Sequence, residues 1–284
     1  MSRNSGRQLG DVLAKVAVYV MAGIALVPLS LVLVYTVVNG LPALTHIDFF
    51  IHVERPVGIP GAGVAHAIVG TAVMVGLASL MSIPLGVVAG VNLVEYGRAR
   101  VASWIRLAAD VLVGTPSIAI GLFAYALFVA PFKHFSGIAG SIALAVLMLP
   151  VVIRTTEAAV GLVPGSLREA GLALGLPRWK VALRLVLPAA APGVLTGAML
   201  AVARAAGETA PLLFTGFGNR FLNADPTKAM SALPLIVYHD ALTPYPQLVE
   251  QAWGAALVLI LLTLVVNLAS RFALRRQIAL AGKL

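Results

Sequence analysis

The chain has 284 residues, of which 60% are hydrophobic and only 11% charged, with a mean hydropathy of +0.97. A soluble domain carries about 25% charged residues, so this composition excludes a soluble globular protein and implies a polytopic membrane protein. The net charge of +9 does not point to nucleic acid, because the basic residues cluster in alternate short loops, and the absence of cysteine excludes disulfides and cysteine metal sites.

In chain order, a polar tail over residues 1–15 carries Arg3, Arg7 and Lys15, and the first span runs from about Val16 to Val38 with a kink expected at Pro28. This run is longer than the apolar core of a signal peptide and lacks a small-residue cleavage site after it, so it is expected to stay as a span. Residues 39–65 are too polar and too interrupted by Pro42, Pro56 and Pro60 to cross a bilayer. The second span covers about His66 to Val94, and its Gly86 and Gly90 leave room for another helix to approach closely. A third span, about Leu107 to Val129, contains Gly114-Thr115-Pro116-Ser117, polar and helix-breaking at membrane depth. Such a break is tolerated where it faces protein or a water-filled path, so Thr115 and Ser117 either line a path or mark a packing kink. The fourth span is expected over about Gly137 to Ile153, the fifth over about Ala189 to Phe214, and the sixth over about Ala252 to Leu268. The membrane domain as a whole then occupies residues 16–271, with a loop over 154–188 and a second tail over 272–284.

Lys and Arg counts orient these spans. Of the twenty, fifteen fall in the two tails and the loops after spans two and four, while four lie on the other side and Arg204 lies inside a span. By the positive-inside rule both termini are cytoplasmic, which requires an even number of spans, and six fits. The longest external segment is Gly216 to Gln251. Its Met230 to Leu242 part is expected to lie as an interfacial helix, weakened by Pro234.

The fifth span carries the charge that most needs explaining. Arg204 and Glu208 stand four residues apart, on one helix face, near the middle of an apolar stretch. A charge at mid-bilayer costs on the order of 2.5–3.5 kcal/mol on insertion scales. Mutual pairing offsets that cost while a site is empty, and the guanidinium fork can turn to an arriving anion with two parallel N–H bonds. A structural ion pair between helices is the alternative.

The loop over 154–188 has the most specific pattern: Glu169-Ala170-Gly171, three residues, Gly175, nine residues, then Leu185-Val186-Leu187-Pro188. Pro164 and Ser166 start a helix that Gly175 and Pro177 stop; Arg178, Trp179 and Lys180 begin a second, which Pro188 is expected to end before the membrane. The product is a compact helical hairpin with Glu169 exposed. It is shaped as a knob for a cytoplasmic partner, or else it lies on anionic headgroups.

This spacing resembles the EAA loop of permease subunits of ATP-binding-cassette importers, departing only at Gly171, where alanine is usual. Arg204-Ala-Ala-Gly-Glu208-Thr209-Ala-Pro211 is similar to the signature of phosphate-importer permeases. The segments Ala67-Ile-Val-Gly-Thr-Ala, Pro84-Leu-Gly86, Glu95-Tyr96, Gly114-Thr-Pro-Ser117-Ile-Ala-Ile-Gly121 and Ser231-Ala-Leu-Pro234-Leu-Ile-Val-Tyr238 resemble the PstA type rather than the PstC type. The resemblance covers about Gly63 to Arg271. It implies an all-α fold of the type I ABC importer permease kind with six transmembrane helices, in a bacterial inner membrane. It also implies three kinds of partner besides membrane lipid: a PstC-like second permease subunit, two copies of a PstB-like ATPase, and a PstS-like extracytoplasmic phosphate-binding protein. Arg204, Glu208 and Thr209 would contact phosphate. Glu169, Ala170, Gly171, Gly175 and Arg178 would couple to the ATPase. Phosphonate, molybdate and sulfate permeases share the architecture, and a phosphate-signalling scaffold is a further alternative.

The remaining residues exclude more than they add. The five histidines show no metal-ligand spacing, and His66, at the external end of the second span, is expected to be an interface residue. No GxxxxGK[ST] loop is present, so the chain is not an ATPase by that route, needs no cofactor of its own, and takes its energy from ATP and Mg²⁺ held by a partner.

Overall fold

A computed structural model describes residues 2–97 and 99–281, so that Met1, Arg98 and residues 282–284, among them the Lys283 counted in the second tail, lie outside the described residues. The order is α1 (Ser2–Leu44), α2 (Asp48–Ile51), α3 (Ala65–Glu95), α4 (Ala99–Gly114), α5 (Ser117–Ala124), a π-helical turn (Tyr125–Val129) and α6 (Gly137–Gly161). Then follow α7 (Gly165–Ala173), α8 (Arg178–Val181), a second π-turn (Ala182–Val186), α9 (Leu187–Ala206), α10 (Ala210–Thr215), α11 (Leu233–Ala241) and α12 (Pro246–Ala281).

Five of these stretches are long and apolar enough to cross a membrane: Gly10–Leu44, Ala65–Glu95, Gly137–Gly161, Arg178–Ala206 and Pro246–Ala269. The sixth is the pair α4–α5, bent by 103° at Thr115-Pro116, so the expected third span is a broken one. Pro116 causes the break: its φ of −57° and ψ of 132° start α5 on a new axis, because a proline ring cannot follow residues in the α conformation.

Helix α6 is the centre of the bundle, packed against α3, α9, α4, α5 and α10. Ser136 starts it, its hydroxyl accepting from Ala139 N at 3.2 Å. The helix that approaches Gly86 and Gly90 is α6: a Cβ on either glycine would fall 2.7 Å from Val152 Cβ or 2.6 Å from Thr156 Cβ. Around this seam Met74, Leu144, Met148, Val152 and Leu212 form a buried core. The fourth span thus runs eight residues beyond Ile153, taking Arg154 and Glu157 into α6.

Three further expectations are corrected. Pro188 does not stop the second hairpin helix, which continues as one helical run from Arg178 to Ala206. The π-turn over 182–186 stands directly before Pro188, and its wider i→i+5 bonding absorbs the missing N–H and the ring. Nor is the stretch around Leu233 to Ala241 interfacial. Leu233, Leu235 and Ile236 are buried against α3 and α12, and Pro234 sits in the first turn of α11, where its missing N–H costs nothing. His66, expected at an interface, is 2% exposed, and neither of its ring nitrogens has a hydrogen-bond partner.

Helix α1 stands apart. Its residues 10–34 are exposed along their whole length, and it meets the bundle towards its end, where the Tyr35 ring packs edge-on to Trp253 with centroids 5.1 Å apart and Gly40 and Ala43 lie against Trp253, Gly254 and Leu257 of α12.

Candidate functional site

The charged pair sits at a helix end, not in a helix middle. Arg204 occupies the last turn of α9, Gly207 ends that helix, and Glu208 and Thr209 form the link to α10. Arg204 Nε lies 3.4 Å from Glu208 Oε1; the arginine side chain is 46% exposed and the glutamate side chain 17%. One long contact leaves most of the five guanidinium donors unengaged, whereas Glu208 is held against protein. The cation also sits where the last carbonyls of α9 gather negative potential. The pair therefore presents a partly open positive group beside a more enclosed counter-charge, in a stretch flanked by buried Ala205 and Ala206.

The two broken helices meet. A Cβ on Gly121 of α5 would lie 2.6 Å from Pro211 Cα of α10, so the short helices that follow the two breaks cross there. Ser117 and Thr209 each lie within about one helical turn of this crossing. Thr115 spends its hydroxyl on its own helix, donating to Val111 O at 2.7 Å. No hydrogen bond joins Thr115 or Ser117 to Arg204 among the described residues.

A charge ladder joins α4 to α6 and was not foreseen. Arg154 forks onto Asp110 and reaches Glu157 Oε2 at 2.9 Å, and Arg106 pairs with the other oxygen of Glu157. Counting Arg106 and Arg154 as loop residues hid it. The spacings Arg106 to Asp110 and Arg154 to Glu157, four and three residues apart in apolar surroundings, were the available signal.

At the far end of α6 from Ser136, the hairpin forms as expected. Pro164 precedes α7, and Gly175 takes φ +77° after it. Leu176 N then bonds to Gly171 O and Gly175 N to Leu172 O, which is the Schellman termination. Gly171 is buried, and a Cβ there would meet Leu185 Cδ1 at 2.7 Å and Val181 Cγ2 at 2.9 Å, which accounts for glycine where alanine is usual. Glu169 and Ala170 face outward with Leu162 and Leu174, which are 85% and 82% exposed, so the knob is apolar with one carboxylate. Gly175 and Arg178 are exposed at its turn.

Arg168, the residue before Glu169, seats this hairpin. Its Nε donates to Glu95 Oε1 at 2.8 Å, its Nη1 to Val163 O at 2.6 Å and its Nη2 to Val160 O at 3.0 Å. One side chain thus ties α7 to the end of α3, to the last turn of α6 and to the turn that follows it.

A family model for the binding-protein-dependent transport system inner membrane component matches residues 82–278. The chain is 42% identical to the phosphate transport system permease protein PstA of Yersinia pestis, over 84% of this chain and 81% of that protein. It is 42% identical to PstA of Haemophilus influenzae over 89% of each, and 40% identical to PstA 1 of Mycobacterium tuberculosis strain H37Rv over 89% of this chain and 85% of that protein. Among solved structures, an inward-facing form of the MetNI methionine ABC transporter superposes with a TM-score of 0.60 at 18% identity, covering 76% of this chain and 94% of that one. At that identity the likeness speaks for the fold alone, the all-α architecture of a type I ABC importer permease.

Proposed function

Because the chain belongs to the PstA permeases, within the family of binding-protein-dependent transport system inner membrane components, we propose that Arg204 is the point at which it meets phosphate. The chain is a multi-pass membrane permease subunit of a phosphate importer, a transporter component and not an enzyme. The observation that carries the site is the half-exposed guanidinium at the break after α9, held by a single 3.4 Å contact to a more enclosed carboxylate.

In the resting state Glu208 balances Arg204. An arriving phosphate takes the guanidinium in a bidentate contact, and the released carboxylate accepts from a phosphate hydroxyl, with Thr209 as a supporting donor. Sulfate has no such proton at neutral pH, so the same pair favours phosphate. Thr115 and Ser117, at the neighbouring break, line the path. A PstC-like second permease subunit completes it, and alternating access follows from rocking of the two subunits about this level.

The end bearing α7 faces the cytoplasm, as do both termini, and the membrane is the bacterial inner membrane. There the knob of Glu169, Ala170, Gly171 and Gly175, with Arg178 at its edge, seats in one of two PstB-like ATPases, which bring ATP and Mg²⁺. The opposite end receives a PstS-like phosphate-binding protein.

The test is Arg204→Gln in the reconstituted complex. Uptake should fall by at least about 100-fold while assembly and basal ATP hydrolysis stay at wild-type levels, since the guanidinium supplies the charge-assisted contact to the anion. Phosphate uptake at the wild-type rate would remove Arg204 from the path.

A further inference from the structure

On the end of the bundle opposite the hairpin lies a second cluster of charge, unrelated to Arg204. A cavity of about 460 Å³ is walled by Glu54, Asn219, Arg220, His239, Asp240 and Thr243, with Leu248 at the start of α12 closing one side. Arg220 Nε lies 3.2 Å from Glu54 Oε1, with the arginine side chain 79% exposed and the glutamate 11%. This pair is internally balanced. Asp240 is not: the residue is 5% exposed, and its Oδ2 has no hydrogen-bond partner.

A buried carboxylate oxygen without a donor costs free energy, and it persists only where something else engages it or where the group holds its proton. Burial, reinforced by the nearby charge of Glu54 and opposed by Arg220, pushes the Asp240 carboxyl up to about 7. The cavity therefore holds a carboxyl oxygen with no donor, beside a second carboxylate on a separate segment. No cluster of three or more metal-ligating side chains occurs among the described residues, which does not suit a divalent ion. One cationic donor fits.

The rim tells what carries it. Phe221 and Leu222, which follow the lining residue Arg220, and Leu242 and Tyr245, on either side of the lining residue Thr243, are 77%, 61%, 73% and 49% exposed. Aromatic and aliphatic residues around a desolvated polar pocket are the make-up of a protein interface. A compact ammonium with three rotatable donors suits acceptors on two separate segments better than a planar guanidinium fork does.

We propose that this cavity is a socket for a lysine side chain of the extracytoplasmic binding protein, with Asp240 and Glu54 as its acceptors. The inference rests on the proposed function for the orientation of this end and for the existence of that partner. Docking places the ammonium against Asp240 and stabilises its ionised form. A socket that holds its proton must release it to the solvent on docking, so docking strengthens as pH rises through about 7. The titratable and charged groups facing Asp240 across the cavity are Glu54, Arg220 and His239.

The experiment uses the complete transporter in nanodiscs and measures equilibrium binding of the phosphate-loaded binding protein from pH 6 to 8.5 at fixed ionic strength. Wild type should bind up to tenfold more tightly at the alkaline end. Asp240→Asn should lose that dependence and bind at least tenfold more weakly at pH 8, with basal ATP hydrolysis unchanged, whereas His239→Gln should keep it. In parallel, zero-length carbodiimide coupling of the wild-type complex should join Asp240 or Glu54 to a lysine of the binding protein, and this readout stands even if Asp240→Asn fails to assemble. Wild-type affinity and pH profile in Asp240→Asn overturn the proposal, as does coupling of these carboxyls only to the second permease subunit or to no lysine at all. Absence of docking by the wild type would instead count against the proposed function itself.

Discussion

Removing the Arg168 side chain isolates the contact between the hairpin and the bundle. Arg168→Ala deletes a charge-assisted bond to Glu95 and two donations, one to Val160 O in the last turn of α6 and one to Val163 O in the turn after it. An exposed ion pair is worth about 0.2–1 kcal/mol and breaking a fully buried one costs about 3–5 kcal/mol. Here the side chains are 22% and 12% exposed, between those limits, and the freed carbonyls can turn to water. The seated hairpin should lose about 2–3 kcal/mol, which is about a 30- to 150-fold shift toward the unseated form. Hydrogen exchange on a peptide spanning residues 165–176 reads this directly, since local opening sets the protection of a short surface helix. Protection there should fall by about that factor while the middle of α3 keeps its own. Arg168→Lys should fall between, because it keeps the charge and loses the fork. Phosphate-stimulated ATP hydrolysis should fall with hairpin protection across the series. Exchange in Arg168→Ala within threefold of wild type would refute the view that this side chain seats the hairpin.

Two further outcomes test the bundle itself. A Cβ on Gly70 would lie 1.9 Å from Ser231 O, so Gly70→Ala must displace the backbone that leads into α11, whereas nothing lies within 4 Å of the same atom at Gly76. Overpacking of this kind costs about 1–3 kcal/mol. Thermal unfolding in detergent should drop by several degrees for Gly70→Ala and stay put for Gly76→Ala; equal midpoints would contradict the packing described. For Asp240 the sign follows from its raised value. The folded carboxyl binds its proton up to about 7 while the ordinary value is 3.8, so the isolated subunit is stabilised at acid pH and loses that stability as pH rises between those values. Melting scans from pH 4.5 to 8 should show a falling midpoint in wild type and a flatter one in Asp240→Asn, and parallel curves would reject the assignment.

The apolar runs, the two helix breaks at Pro116 and Gly207, and the hairpin bounded by Pro164 and Gly175 lie in local chemistry, and the sequence makes the runs and the hairpin legible without a structure. The termination of α9 after Arg204 was less legible, because Ala-Ala-Gly reads as helix until a glycine meets its neighbours. Pro188 misled for a related reason: whether a proline stops a helix depends on whether the turn before it can widen. What stayed hidden was pairing over long separations. Arg168 finds Glu95 across 73 residues and Arg154 finds Asp110 across 44, and no periodicity encodes either. Asp240 escaped notice because its significance lies in what it lacks. An unpartnered carboxyl oxygen is a property of the packed neighbourhood, and one acidic residue near a predicted surface helix carries no such mark.

The continuous helical run from Arg178 to Ala206, carried through its π-turn, has a mechanical meaning. Its 26 steps from Arg178 to Arg204 span about 39 Å at about 1.5 Å per residue. With its foot in the hairpin and its tip at the guanidinium, it works as a lever arm. A rotation of about 5° at the foot swings the tip by about 3 Å, roughly the length of one hydrogen bond. A displacement of that size would break or make the contact proposed between Arg204 and an anion, and Gly207, where the arm ends, lies just beyond the charge it carries.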